Sequence, residues 1–112
     1  MTIFEKIAAG EIPARMVHET ADFIAFHDVN PQAPVHVLIV PRRCIVRLGE
    51  AQDADADLLG RMLLAAPEIA AKLGVAEGGY RIVINNGREA GESVPHLHIH
   101  LLGGRGLRWP PG

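Results

Sequence analysis

Hydrophobic positions along the chain change period twice, and each period predicts a different element. Ile3, Phe4 and Ile7, with Ile12 beyond Gly10, suit one face of a short N-terminal helix that closes near Gly10 and Pro13. Met16 to Thr20 and Asp22 to Asp28 then alternate with period two, Phe23, Ala25 and His27 against Ile24, Phe26 and Asp28, and a turn at Thr20-Ala21 joins them as a hairpin. Asn30-Pro31-Gln32-Ala33-Pro34 interrupts the pattern as a loop, because proline lacks a backbone donor and keeps its predecessor out of the helical region. Val35 to Val40 reads as an interior strand closed by Pro41. The spacing then lengthens to three and four: Leu58, Leu59, Met62, Leu63, Ala66, Ile69, Ala70 and Leu73 predict the main helix over Asp53 to Leu73. Asp53, Asp55 and Asp57 are placed to cap its start, Lys72 and Gly74 suit its end, and Pro67 inside it is expected to kink it. Tyr80 to Asn85 and Val94 to Leu102 complete the strands, joined by a polar loop over residues 86–93. This order predicts one α+β domain over residues 1–112, a mainly antiparallel five-stranded sheet with one long helix laid across it.

Composition narrows the function classes. At 112 residues and 48% hydrophobic, the chain carries enough apolar surface to fold without a disulfide or a structural metal. Eleven Lys and Arg against thirteen Asp and Glu leave no broad basic surface for a nucleic-acid polymer or an anionic membrane. The longest aliphatic run, Val37-Leu38-Ile39-Val40, is far below the roughly 18 apolar residues of a membrane span. A single cysteine, Cys44, and an opening with no charged segment before an apolar run point to a reducing, cytoplasmic setting. The imbalance that remains is histidine: six against five aromatic residues, with three of them in Pro95-His96-Leu97-His98-Ile99-His100.

In an extended strand His96, His98 and His100 share one face and Leu97, Ile99 and Leu101 the other. Three chemistries compete for that face. The imidazoles could be solvated polar positions, although three in a row behind a Gly- and Ser-bearing loop disfavour that. They could bind zinc with His36 as a further ligand, but rings about 6.5–7 Å apart along one strand do not converge on an ion whose Zn–N bonds are about 2.0–2.1 Å. Or an imidazole could be a nucleophile toward phosphorus, since its neutral form keeps a lone pair at neutral pH. That use requires an acceptor holding the proton on Nδ1, so that Nε2 is free, and neighbours that neutralise phosphoryl oxygens.

His96-Leu97-His98-Ile99-His100-Leu101-Leu102 resembles the His-x-His-x-His-x-x signature, x hydrophobic, of the histidine triad superfamily. Ile3-Phe4, Lys6-Ile7, Glu11-Ile12-Pro13-Ala14, Ala25-Phe26-His27-Asp28, Pro31-Gln32-Ala33-Pro34 with His36, Gly91 with Ser93-Val94, Leu102-Gly103-Gly104-Arg105 and Trp109-Pro110-Pro111-Gly112 extend the resemblance almost end to end, toward the nucleotide-binding protein branch. The resemblance implies a homodimer whose two sheets join, and hydrolysis of purine nucleoside 5'-phosphoramidates, and aminoacyl-adenylates, without a metal or other cofactor. It implies His98 as nucleophile, His100 as donor to a phosphoryl oxygen, and His36 and His96 as supports of the central ring. Ser93 becomes the hydroxyl at the phosphate or leaving group, Asn85 and Gly91 phosphate-side contacts, and Asp28 the acceptor of both ribose hydroxyls. Ile3, Phe4, Phe26, His27 and Val29 form the base slot, Val94 follows Ser93 at its edge, and the Trp109 tail reaches the partner subunit's site. Histidine rather than glutamine at position 100 favours water as acceptor. Cys44 stands where many relatives carry a histidine, which interrupts an outer proton relay through His36, and Pro95 should order the loop before the triad.

Plainer roles compete with several of these assignments. Ile3, Phe4 and Phe26 suit a core, Asp28 a turn, Asn85-Asn86-Gly87 a hairpin loop and Ser93 a loop cap. His18 and Arg42-Arg43 are expected in solvent. The alternatives in function are hydrolysis of dinucleoside polyphosphates, a nucleotide-binding regulatory protein with incidental hydrolysis, and a zinc enzyme built on the same histidines.

Overall fold

The computed structural model describes residues 1–112. Its elements are α1 (Ile3–Ala8), β1 (Met16–Glu19), β2 (Phe23–His27), β3 (Val35–Pro41), α2 (Ala56–Lys72), β4 (Tyr80–Val83) and β5 (Ile99–Gly103), with short 3₁₀ turns at Leu48–Glu50, Asp53–Asp55 and Arg88–Ala90. The five strands form one antiparallel sheet in the order β1-β2-β3-β5-β4.

Both faces of the sheet are covered, which is why β2 and β3 are buried at successive positions rather than alternate ones. On one face Phe23, Ala25, Val37, Ile39, Ile99 and Leu101 pack under α2, against Leu58, Met62, Ala65, Ala66, Ile69 and Ala70. On the other, Ile24, Phe26, Leu38 and Val40 pack against Phe4 and Ile7 of α1. Ile24, Ile39, Met62, Ile69, Ile99 and Leu101 are fully buried, each worth about 1.5–3 kcal/mol over an exposed position. The smaller cluster fixes α1, whose start is held by a capping box: Thr2 Oγ accepts from the Glu5 amide at 3.1 Å and Glu5 Oε1 from the Thr2 amide at 2.9 Å.

Two sequence expectations are corrected here, one at the start of α2 and one at the start of the last strand. Asp55 does not cap α2; its carboxylate accepts the Gln52 amide at 2.8 Å and pairs with Arg43, so the residues before Ala56 wind as 3₁₀ rather than as helix. Pro67 lies inside α2 on its exposed side, where water can satisfy the carbonyl that proline leaves free, and the helix runs on through it. The last strand starts at Ile99, not Val94. Pro95 has no amide to give to a ladder, the His96 amide turns back to the Val94 carbonyl at 2.8 Å, and the His96 ring takes the carbonyl of Pro41 at the end of β3. Turn and side-chain hydrogen bonds, together with the Leu97 amide donating to the Ile45 carbonyl at 2.6 Å, thus replace sheet pairing over residues 94–98.

Candidate active site

Alternation across the sheet puts the even-numbered positions of β3 and β5 on the α1 face, and His36 and His100 lie across the two strands, with His36 paired in register to Leu102 and Leu38 to His100. His98 precedes β5 by one residue and stays on that face, its ring meeting Phe4 edge-on at 5.0 Å and His100 at 5.0 Å. Between α1, the β2 end and the triad lies a cleft of about 290 Å³. Ile3, Phe4, Phe26, His27, Asp28, Val29, Ser93, Val94, His98 and His100 all line it, together with Ile7, Ile12, Pro13, Ala14 and Leu38. Its lining combines apolar side chains with Asp28, Ser93 and three histidines, His27, His98 and His100. A separate open hollow of about 350 Å³ between Arg43 and Asp55 contains none of the triad.

The proton positions follow from partners that can act in only one sense. His98 Nδ1 lies 2.8 Å from the His96 carbonyl, which can only accept, so Nδ1 carries the proton and the Nε2 lone pair is free in the neutral ring. The Gln32 amide can only donate, and it points at His36 Nδ1 at 3.0 Å. His36 therefore carries its proton on Nε2, which faces His100 Nδ1 at 2.9 Å and Asp28 Oδ2 at 3.4 Å. His100 Nδ1 in turn must accept, leaving Nε2–H as a donor. One backbone amide, in the loop that the prolines predicted, thus sets the tautomers of two histidines in sequence.

Burial favours the neutral form of His36 and His100. Desolvation is the main cause of the lowered pKa of His36, opposed by the Asp28 carboxylate. His100 is pushed down to about 4, first by desolvation and then by His98 and His36 beside it, with Asp28 opposing. His27 is also lowered by burial, with Arg15 adding to it. In its neutral tautomer the His98 ring thus offers a free Nε2 lone pair beside the neutral Nε2–H donor of His100.

Two of the predicted histidines do not line the cleft: His36 lies behind it, touching His100 and Asp28, and the His96 ring lies elsewhere. His96 is 0% exposed and outside the cleft lining, with Nε2 donating to the Pro41 carbonyl at 2.8 Å and Nδ1 2.7 Å from Thr2 Oγ. Its link to His98 runs through its backbone carbonyl, not its imidazole. Asn85 and Gly91 also lie outside the lining. Gly91 closes the short 3₁₀ turn at φ +85°, a left-handed conformation that favours glycine. That loop is anchored instead by Glu92, which pairs with the Arg47 guanidinium at 2.9 and 3.0 Å and accepts the Gly87 amide at 3.1 Å. The Arg47 hydrogen bond is the chief reason that the Glu92 carboxyl titrates below its usual range.

Two residues expected in solvent are built into the structure. His18 stacks on Phe23 with ring centres 5.7 Å apart, and Arg42 donates to the carbonyls of Thr20 at 2.8 Å and Ala8 at 3.0 Å, tying the end of α1 to the first hairpin. Sequence reasoning missed Thr2 and the Gln32 amide altogether. A Ser/Thr three residues before Glu was legible as a capping box, but its second partner, 94 residues away, was not. Potential metal-ligand atoms converge at Asp28, His36 and His100 and at Glu5, Cys44 and His96. In both trios the histidine nitrogens are engaged in hydrogen bonds, apart from His100 Nε2.

Residues 9–107 match the family model described as HIT domain. An uncharacterized HIT-like protein of Synechocystis sp. is 54% identical over 99% of this chain and 96% of its own length. Among solved structures, a HIT family hydrolase from Legionella pneumophila superposes with a TM-score of 0.97 at 46% identity, covering 100% of both chains. A histidine triad protein from Clostridium difficile reaches 0.91 at 39% identity over 95% of this chain and 92% of that one. No helix of the structure is long and apolar enough to cross a membrane.

Proposed function

The chain belongs to the HIT domain family, and from that premise we propose that it is a hydrolase of purine nucleoside 5'-phosphoramidates, and of aminoacyl-adenylates, working through a covalent nucleotidyl–His98 intermediate. The observation that carries this reading is the His98 Nδ1 to His96 carbonyl hydrogen bond at 2.8 Å, which leaves Nε2 as an unprotonated nitrogen on a residue that lines the cleft.

His98 Nε2 attacks the α-phosphorus, forming an N–P bond as the P–N bond to the amine breaks. His100 Nε2–H donates to a phosphoryl oxygen where negative charge builds, and its neutral state avoids the cost of a buried cation beside His98 and His36. Ser93 stands at the cleft edge to touch the phosphate or hand a proton to the departing amine. Water then adds to phosphorus and the His98 N–P bond breaks. The water oxygen stays on the nucleoside monophosphate; one of its protons replaces the proton given to the amine in the first step, the other passes through the monophosphate to solvent, and His98 Nε2 regains its lone pair. Asp28 takes the ribose hydroxyls, and Ile3, Phe4 and Phe26 bury the base. Such an apolar slot offers few hydrogen bonds with which to tell adenine from guanine, so both are accepted. A homodimer is part of the proposal, supported by the free outer edges of β1 and β4 and by Trp109, 82% exposed in the single chain.

Mass spectrometry of enzyme mixed with a slow adenosine phosphoramidate tests the mechanism. The nucleotidyl adduct is expected on His98, and His98→Ala should lose turnover while still binding the monophosphate. An adduct on another residue, or sustained turnover by that variant, refutes it.

A further inference from the structure

Thr2 lies outside the cleft yet stands at the start of a hydrogen-bonded path that ends on the proposed nucleophile. Its hydroxyl is 2.7 Å from His96 Nδ1. His96 Nε2 must carry a proton, because its partner at 2.8 Å is the Pro41 carbonyl. In the neutral ring Nδ1 therefore accepts, and the Thr2 hydroxyl donates to it while its oxygen accepts the Glu5 amide at 3.1 Å. Both nitrogens of a ring that is 0% exposed are then satisfied, and the ring is locked between α1 and the end of β3. The carbonyl of the same residue holds His98 Nδ1–H.

We propose that Thr2 is a positioning residue: its hydroxyl keeps His96 neutral and fixed, and thereby fixes the backbone carbonyl that orients the His98 ring. The inference rests on His98 as the nucleophile and goes beyond it, since it assigns the N-terminal cap of α1 a part in aiming the imidazole. The ring of His96 is faced by Glu5 from α1, by Cys44 from the segment after β3 and by His98 from its own segment, with Phe4 edge-on at 5.7 Å. Glu5 favours a charged His96 whereas burial and His98 oppose it. With the Thr2 hydroxyl donating, Nδ1 receives a hydrogen rather than giving one, which favours the neutral ring; a protonated Nδ1 would require that hydroxyl to turn and accept through its remaining lone pair. A charged His96 would place a cation beside His98 as that ring turns positive during attack on phosphorus.

The test separates capping from proton direction. Thr2→Ser keeps both the cap and the O–H donor. Thr2→Asp keeps the cap, because its carboxylate still accepts the Glu5 amide, but it can only accept from His96 Nδ1. Nitrogen-15 NMR of the imidazoles, run on the full chain, reads the tautomers directly, and kcat and KM for a slow adenosine phosphoramidate are measured across pH 5.5 to 8.5. The wild type and Thr2→Ser are expected to show His96 as the neutral Nε2–H form. Thr2→Asp should show it doubly protonated to a higher pH, raised by about one unit or more as for a histidine paired with a carboxylate. The kcat of Thr2→Asp should fall on the order of tenfold, with KM little changed and the acid limb of its profile displaced toward higher pH. Thr2→Val, which is isosteric and loses the donor, should lower kcat with Thr2→Ser as the conservative rescue.

Thr2→Asp charging His96 without any change in kcat or pH profile would overturn the positioning role, leaving Thr2 a helix cap only. So would a neutral Nε2–H His96 in that variant. The spectra read the relay whether or not the protein turns over, so absence of a His98 adduct counts against the proposed mechanism and not against the hydrogen-bond assignment.

Discussion

Acid should destabilise this fold well before its carboxylates are protonated, and His100 allows the size of the effect to be worked out. Its pKa is pushed from the ordinary 6.5 to about 4, mainly by burial. A group that binds its proton less readily in the folded chain makes the unfolded chain the stronger proton binder between those two values, so stability rises with pH across that window. His100 costs nothing above pH 6.5, begins to cost as pH falls through that value, and levels off only below about 4. At pH 5 its share is about 2 kcal/mol, a large part of the roughly 5–15 kcal/mol that a domain has in hand. His27, His36 and His96 are shifted in the same direction and add to the loss, so the wild type alone does not isolate His100. His100→Gln does: its side-chain oxygen can still accept from His36 Nε2, but the position no longer titrates. Urea unfolding of both chains at pH 7.5, 6.5, 5.8 and 5.0, with m held common, is the assay. The gap in unfolding free energy between wild type and variant should shift by about 2 kcal/mol in favour of His100→Gln on going from pH 7.5 to 5.0. A gap that stays constant with pH would refute the reasoning, because it would mean that His100 binds its proton equally well in the folded and unfolded chains.

Two further outcomes follow from the loops that frame the site. Arg47→Met removes the paired contact to Glu92, and amide exchange at Gly87 and Glu92 should accelerate on the order of tenfold while β3 is unchanged, with kcat/KM falling because Ser93 loses its support; unaltered exchange would disprove the anchoring role. Gly104→Ala forces a Cβ at φ +91° to within 2.9 Å of the Pro34 Cβ. It should cost about 1–3 kcal/mol in thermal or urea unfolding and displace the loop whose Gln32 amide sets the His36 tautomer, which the His36 imidazole nitrogen shifts would report.

The sheet, the long helix and the facing of the histidines were legible because they depend on periodicity, which is local. Alternation alone placed Leu97, Ile99 and Leu101 under α2 and His98 and His100 on the opposite side. Most of the cleft was equally readable through the family resemblance, from Ile3 and Phe4 to Asp28 and Ser93. The run from Val94 to His98 misled because its composition suits a strand, whereas its hydrogen bonds are taken by a turn, by the Ile45 carbonyl and by the His96 ring.

What the sequence determined by itself is which face of the sheet His98 and His100 occupy and which side chains gather at the cleft. What only the tertiary structure decided is where each proton sits. A free imidazole holds its proton almost equally well on either nitrogen, so the choice falls to a nearby group that can only donate or only accept. Those groups are the Gln32 amide and the Pro41 and His96 carbonyls, one of them far from its histidine along the chain. Backbone amides and carbonyls are identical at every such position in a sequence, and become specific only when folding brings one of them within 3 Å of a ring.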